Sequence, residues 1–229
     1  MAEEKDPKTD TPASPPTEGA PWRKLWQRLT QNRLLSILST ALVIGVVGWV
    51  AYRQYLASQN EECLKEMRAA EAFFRQDSFE KAIKGTATVL GFEQLVNDYG
   101  RTQAGNLCRL YLGLCYLKTG QPQAAIETLE DYDAPDSYLG GAALAALAGA
   151  YAEVKEFEKA ARYYQKAAQI HDNSQTSPAF LLQAGLCYEL AGQWEKAAQM
   201  YTKITETYPL AAEAPTAQKH LARVESHAK

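Results

Sequence analysis

The sequence is poor in the residues that build reaction centres. It holds three histidines, His171 in a predicted loop and His220 and His227 near the C-terminus, so no Ser-His-Asp or Cys-His set has a defensible neighbourhood. All three read as solvated. The chain has no Gly-x-x-x-x-Gly-Lys-Ser/Thr loop, dinucleotide fingerprint or His-Glu-x-x-His helix, which removes the usual signatures of phosphate, dinucleotide and zinc chemistry. The four cysteines, Cys63, Cys108, Cys115 and Cys187, include no Cys-x-x-Cys pair for a metal clamp or thiol exchange. They read as small core residues. Cys108 and Cys115 lie on one predicted helix, about 10 Å apart at the helical rise and too far for a disulfide. A bridge to Cys63 or Cys187 stays open if the domain lies in an oxidising compartment.

Charge of one sign is also scarce: 24 basic residues face 27 acidic ones, for a net charge of −3. No long basic run occurs outside the segment before the apolar stretch, so nucleic acid is not an expected partner. The acidic cluster Glu127, Glu130, Asp131, Asp133 and Asp136 lacks the ordered spacing of a calcium loop and reads as a solvated helix end. No metal or cofactor is expected, and the chain is not expected to be an enzyme.

What is present begins with a tail. Residues 1–21 hold five of the ten prolines and no aromatic or branched apolar residue, a composition that cannot seed a core and predicts a disordered cytoplasmic segment. Residues 22–33 form a basic juxtamembrane segment with Arg23, Lys24, Arg28 and Arg33 and no acid. The run LLSILSTALVIGVVGWVAY, Leu34 to Tyr52, is uncharged and about 28 Å long as a helix, close to the thickness of a bilayer core. It predicts a membrane-spanning helix, longer than a signal-peptide apolar region and set too far from the N-terminus to be one. The basic flank belongs inside, which puts the remainder, residues 53–229, outside the cytoplasm. Trp22 and Trp26 on one flank and Trp49, Tyr52 and Tyr55 on the other suit the two interfaces. Within the span, Ala41, Gly45 and Gly48 share a stripe without bulk that could admit another helix.

The rest of the chain repeats itself. LYLGLCYLKTGQPQAAIETL from Leu110, ALAGAYAEVKEFEKAARYY from Ala146 and LQAGLCYELAGQWEKAAQMY from Leu182 align. Each has a small residue (Gly113, Ala148, Gly185), a tyrosine three positions on (Tyr116, Tyr151, Tyr188) and an alanine nine further (Ala125, Ala160, Ala197). These segments resemble tetratricopeptide repeats, and the third also has Tyr201 and Pro209 at the later positions of the pattern. Gly120 and Gly192 stand where the first helix of a pair must stop. A degenerate earlier copy carries Ala70, Phe73 and Ala82 in register, and Gly85 and Gly91 predict a broken second helix there. Polar stretches at 131–137 and 171–177 read as inter-repeat loops, and Glu213 to His227 as a closing helix with Leu221 and Val224 turned inward. The expected fold is all-α: one N-terminal transmembrane helix, then a tetratricopeptide-repeat solenoid of about four repeats.

A short tail, one basic-flanked span and an outside-facing array of such repeats resemble the YfgM-like tetratricopeptide family. The stretch LGFEQLVNDYGRTQAGNLCRLYLGLCYLKTG from Leu90 is similar to the versions in Bacteroidetes-type bacteria. The resemblance implies a single-pass protein of a bacterial inner membrane with residues 53–229 in the periplasm, an accessory of the SecYEG translocon that works with periplasmic chaperones on newly exported chains. A structural organiser of another envelope assembly, in outer-membrane biogenesis or cell division, is the alternative. The first helices of such repeats line a concave face, here Leu107, Leu110, Leu114 and Leu117, then Ala142, Ala145, Gly149 and Ala152, then Leu182, Leu186 and Leu190. A face this apolar is either covered by the protein's own segments or reserved for an apolar segment of a partner protein.

Overall fold

The computed structural model describes residues 33–227 apart from 136 and 171. The tail over 1–21, the basic segment up to residue 32, Asp136 of the acidic cluster and His171 lie outside the described residues. The chain divides into two units, residues 1–54 and 55–229. Ten helices are described: α1 (Arg33–Arg75), α2 (Phe79–Lys84), α3 (Phe92–Tyr99), α4 (Gln103–Lys118), α5 (Pro122–Glu130), α6 (Tyr138–Glu153), α7 (Phe157–Ile170), α8 (Ser177–Leu190), α9 (Trp194–Thr207) and α10 (Ala214–His227).

Helix α1 begins one residue before the predicted span and continues far beyond it. Its apolar part has a mean hydropathy of 2.0 over its most apolar window, with none of that window buried, and it is long and apolar enough to cross a membrane. Leu38, Leu42, Ile44, Val47 and Trp49 all lie more than half exposed.

The second unit is a row of helix pairs, α4–α5, α6–α7 and α8–α9, each helix packing on the next. Every pair turns in the same way. Gly120, Lys155 and Gly192 take positive φ angles of 70°, 63° and 71°. Each lies two residues before the second helix of its pair, and the following N–H reaches back five residues: Gln121 to the Tyr116 carbonyl, Glu156 to Tyr151 and Gln193 to Tyr188, at 2.8–2.9 Å. This closes the last open carbonyls of the first helix. Asp77, with φ 55°, and the Ser78 N–H to Phe73 carbonyl bond of 2.9 Å repeat the device between α1 and α2. Four turns of one design give four repeats, and the first is the degenerate one. Its second helix is broken after Lys84, where a single antiparallel bridge joins Gly85 and Leu90, and the chain resumes helix at Phe92.

Small residues set how closely the paired helices approach. A methyl group on Gly113 would sit 2.4 Å from the Leu129 side chain, and one on Gly185 would sit 2.4 Å from the Tyr201 ring. Both are well inside van der Waals contact. Burial follows from this proximity: Tyr201, Ile204, Ala184 and Ala197 are wholly buried. One core cluster joins α4 to α10, and a second gathers Cys63, Met67 and Ala70 of α1 with Ile83, Phe92, Leu95, Cys108 and Cys115. Leu107 and Tyr116 of α4 pack against both. Helix α10 closes the array as expected, with Ala217 and Val224 wholly buried and Leu221 packed on the core.

Candidate functional site

Helices of different repeats are tied by a recurring hydrogen bond. The tyrosine of each first helix reaches a side-chain acceptor on the second helix of the repeat before it. The Tyr116 hydroxyl donates to Glu93 Oε1 of α3 at 2.7 Å, that of Tyr151 to Glu130 Oε1 of α5, and that of Tyr188 to Gln165 Oε1 of α7 at 3.3 Å. Burial, and after it the carboxylate partner, pushes the Tyr116 and Tyr151 hydroxyls well above the usual tyrosine range. They therefore remain donors at any physiological pH. The repeat pattern places these tyrosines but does not name their partners. The acceptors lie 21 to 23 residues upstream of each tyrosine and differ in residue type.

A second lock holds the closing helix. Glu189 of α8 accepts from the Tyr201 hydroxyl at 2.5 Å, lies 3.1 Å from His220 Nδ1 and accepts from Arg223 Nη2 at 2.6 Å. Burial raises the Glu189 pKa, and the three hydrogen-bond partners more than offset this and hold it below the ordinary carboxylate value. His220 is thus not a solvated side chain as the sequence suggests. It packs against the Tyr201 ring, with centroids 5.3 Å apart, because α10 folds back over α8 and α9.

These ties align the first helices, whose residues form the candidate groove. Leu107, Leu114, Leu117 and Leu182 are half-buried and packed on the main core, and Leu186 is half-buried. Ala142, Ala145, Gly149 and Ala152 are likewise half-buried. Leu110 is only 5% exposed and joins the core cluster that contains Ala143 and Leu147 of α6, because α4 packs directly on α6. Leu190, at 64% exposure, is the most open of the set. Gly149 has room, since a methyl group there would meet nothing closer than the Tyr164 hydroxyl at 3.6 Å.

Leu107 also lines a cleft of about 500 Å³ between the start of α4 and the loop from α5 to α6. The remaining walls are mixed, with Arg101, Gln103, Asp131, Tyr132, Pro135 and Leu139. Asn106 shapes it by pairing with the backbone of Asp133, donating to its carbonyl at 2.9 Å and accepting from its N–H at 3.0 Å. In α1, Gly45 and Gly48 are open, with nothing within 4 Å of an added methyl, and Ala41 is exposed. Among the described residues, no three His, Cys, Asp or Glu side chains converge on a point where a metal ion could sit.

Paired helices, shared turns and bonds between neighbouring repeats define a helical-repeat interaction scaffold, a class of fold that is typically non-catalytic. More particularly, the array is a tetratricopeptide-repeat solenoid: family models of the tetratricopeptide repeat match residues 108–137, 143–176 and 179–211. No curated protein matches the chain in sequence. Among solved structures, the chain is similar to a putative kinesin light chain of Podosopora anserina with nearly identical TPR-like repeats. The TM-score is 0.56 at 18% identity, over 73% of this chain and 86% of that one. It is also similar to the MamA protein, with a TM-score of 0.53 at 20% identity over 72% of this chain and 93% of that one. At such identities the likeness is one of fold.

Proposed function

We propose that this chain is a membrane-anchored adaptor that holds partner proteins on the periplasmic side of a bacterial inner membrane. In this reading residues 34–52 span the bilayer, the N-terminal tail stays in the cytoplasm and residues 53–229 present the repeats. The observation that carries it is the contrast along one helix. Every residue of α1 from Ile37 to Tyr55 is exposed, whereas Cys63, Met67 and Ala70 of the same helix are buried in the repeat domain. An apolar surface of that extent is stable against lipid or another protein and not against water. The basic residues Arg23, Lys24, Arg28 and Arg33 favour a cytoplasmic N-terminus, and the open stripe Ala41, Gly45, Gly48 suits close approach of a partner's transmembrane helix.

The resemblance to YfgM-like proteins supports a finer assignment, an accessory of the SecYEG translocon that receives apolar segments of exported chains, or their chaperones, along Leu107, Leu114, Leu182, Leu186 and Leu190. Affinity purification of the full chain in mild detergent tests it. Copurifying SecY-type subunits support the assignment, and recovery of other envelope proteins in their place points to an organiser of outer-membrane biogenesis or cell division. Replacing Leu114 and Leu186 with glutamate is expected to abolish crosslinks to exported chains or chaperones. Unchanged crosslinking would remove the groove from the proposal.

A further inference from the structure

Two sulfur atoms meet where α1 joins the repeat core. Cys63 on α1 and Cys108 on α4 are 45 residues apart in sequence, both are wholly buried, and their Sγ atoms lie 3.9 Å apart. One turn earlier on each helix, Asn60 Oδ1 accepts the Ala104 N–H at 2.8 Å, so the two helices are held in a fixed register by a bond that also caps α4. Next to that contact the thiols need close by only about 2 Å to reach disulfide bonding distance. The thiols differ in character from the other two. Burial alone pushes Cys115 and Cys187 up to about 12 and about 11, as expected of inert core thiols. The hydrogen bond between the two sulfurs, in which either atom can be the donor, couples their titration.

We propose that Cys63 and Cys108 are a redox latch, a pair that closes to a disulfide and ties α1 to α4 across the first repeat. The oxidant is a disulfide compound, small or protein-borne. One cysteine of the pair, as its thiolate, attacks one of the oxidant's sulfurs, forming a mixed disulfide and expelling one thiolate, which takes up the proton that cysteine lost. The other cysteine then attacks the sulfur of the first, forming the intramolecular bond and expelling the second thiolate, which takes up the proton the second cysteine lost. Two cysteine thiols are oxidised and one disulfide is reduced to two thiols. Because neither sulfur is exposed, exchange takes place while α1 stands off α4, and docking of the helix seals the result. The loop so closed contains α2, α3 and the Gly85–Leu90 bridge, so the bond constrains the least regular part of the array.

The test treats the full chain in detergent with oxidised glutathione, denatures it, blocks free thiols with a maleimide and reads mass and crosslinked peptides. The wild type is expected to lose two of its four thiols, with Cys63 joined to Cys108, and to melt at higher temperature oxidised than reduced. Cys115→Ser and Cys187→Ser are expected to do the same, whereas Cys63→Ser and Cys108→Ser keep all their remaining thiols. Four free thiols in the treated wild type, or a crosslink mapped to any other pair, overturns the latch. The wild-type map decides the matter even where a serine variant fails to fold. Pairing in the purified chain does not depend on which side of the membrane the repeats face. Thiol blocking in intact cells then tests placement separately: a chain that closes when purified but is reduced in cells supports the latch and counts against a periplasmic domain.

Discussion

At Gly185 a single added methyl group collides with a wholly buried tyrosine ring. The Tyr201 atoms it would meet at 2.4–3.0 Å are held by core packing and by the bond to Glu189, so neither side can yield cheaply. Gly185→Ala is expected to cost about 1–3 kcal/mol by overpacking, read from urea unfolding. Gly149→Ala, with its nearest neighbour at 3.6 Å, is the control and should gain up to about 1 kcal/mol of helix propensity. The turn residues make a second pair. Lys155 holds a left-handed conformation that Gly120 and Gly192 adopt without penalty, so Lys155→Gly should raise stability by about 1 kcal/mol. The sequence announces the turns at Gly120 and Gly192 because glycine marks them. It does not announce those at Asp77 and Lys155, where the hydrogen bonds of the preceding helix impose the same geometry on residues that dislike it.

Between elements, side-chain acceptors add to the apolar contacts. Tyr151→Phe removes the hydroxyl that reaches Glu130 and is expected to destabilise the array by about 1 kcal/mol while leaving helix content unchanged by circular dichroism. The closing helix adds a pH dependence. Glu189 ionises below its ordinary value of 4.5 when folded, so its contribution is complete at neutral pH and is lost as pH falls through and below about 4.5. Thermal melts from pH 7 to pH 3 should show a shallower loss in Arg223→Ala than in the wild type. Helix content, pairing and closure by α10 were legible because alanine, glycine and tyrosine recur at helical spacing. The tyrosine acceptors were not, since Glu93, Glu130 and Gln165 share neither identity nor a fixed spacing. Nor was the burial of Leu110, which depends on how α6 lies over α4 and not on the periodicity of α4 itself.

For the chain as a whole, the exposed run of α1 is the surface on which the proposed membrane anchoring rests. Replacing Val43 and Val46 with glutamate sets two charges where a bilayer core would lie, at about 2.5–3.5 kcal/mol each on insertion scales. The variant is expected to pass from the pellet to the supernatant on alkaline carbonate extraction, while its repeat domain keeps its melting behaviour. Retention in the pellet would mean that some other surface holds the protein to the membrane.

The bonds between tyrosines and the preceding repeat leave the number of repeats free to vary. Excising residues 132–168 would bring Tyr188 as far beyond Glu130 as Tyr151 stands now, so a ready-made acceptor would await the tyrosine of the following unit. Copy number can therefore change by gain or loss of whole units without any new residue having to arise at the joint. The reach of the scaffold becomes a property that a single recombination event can reset.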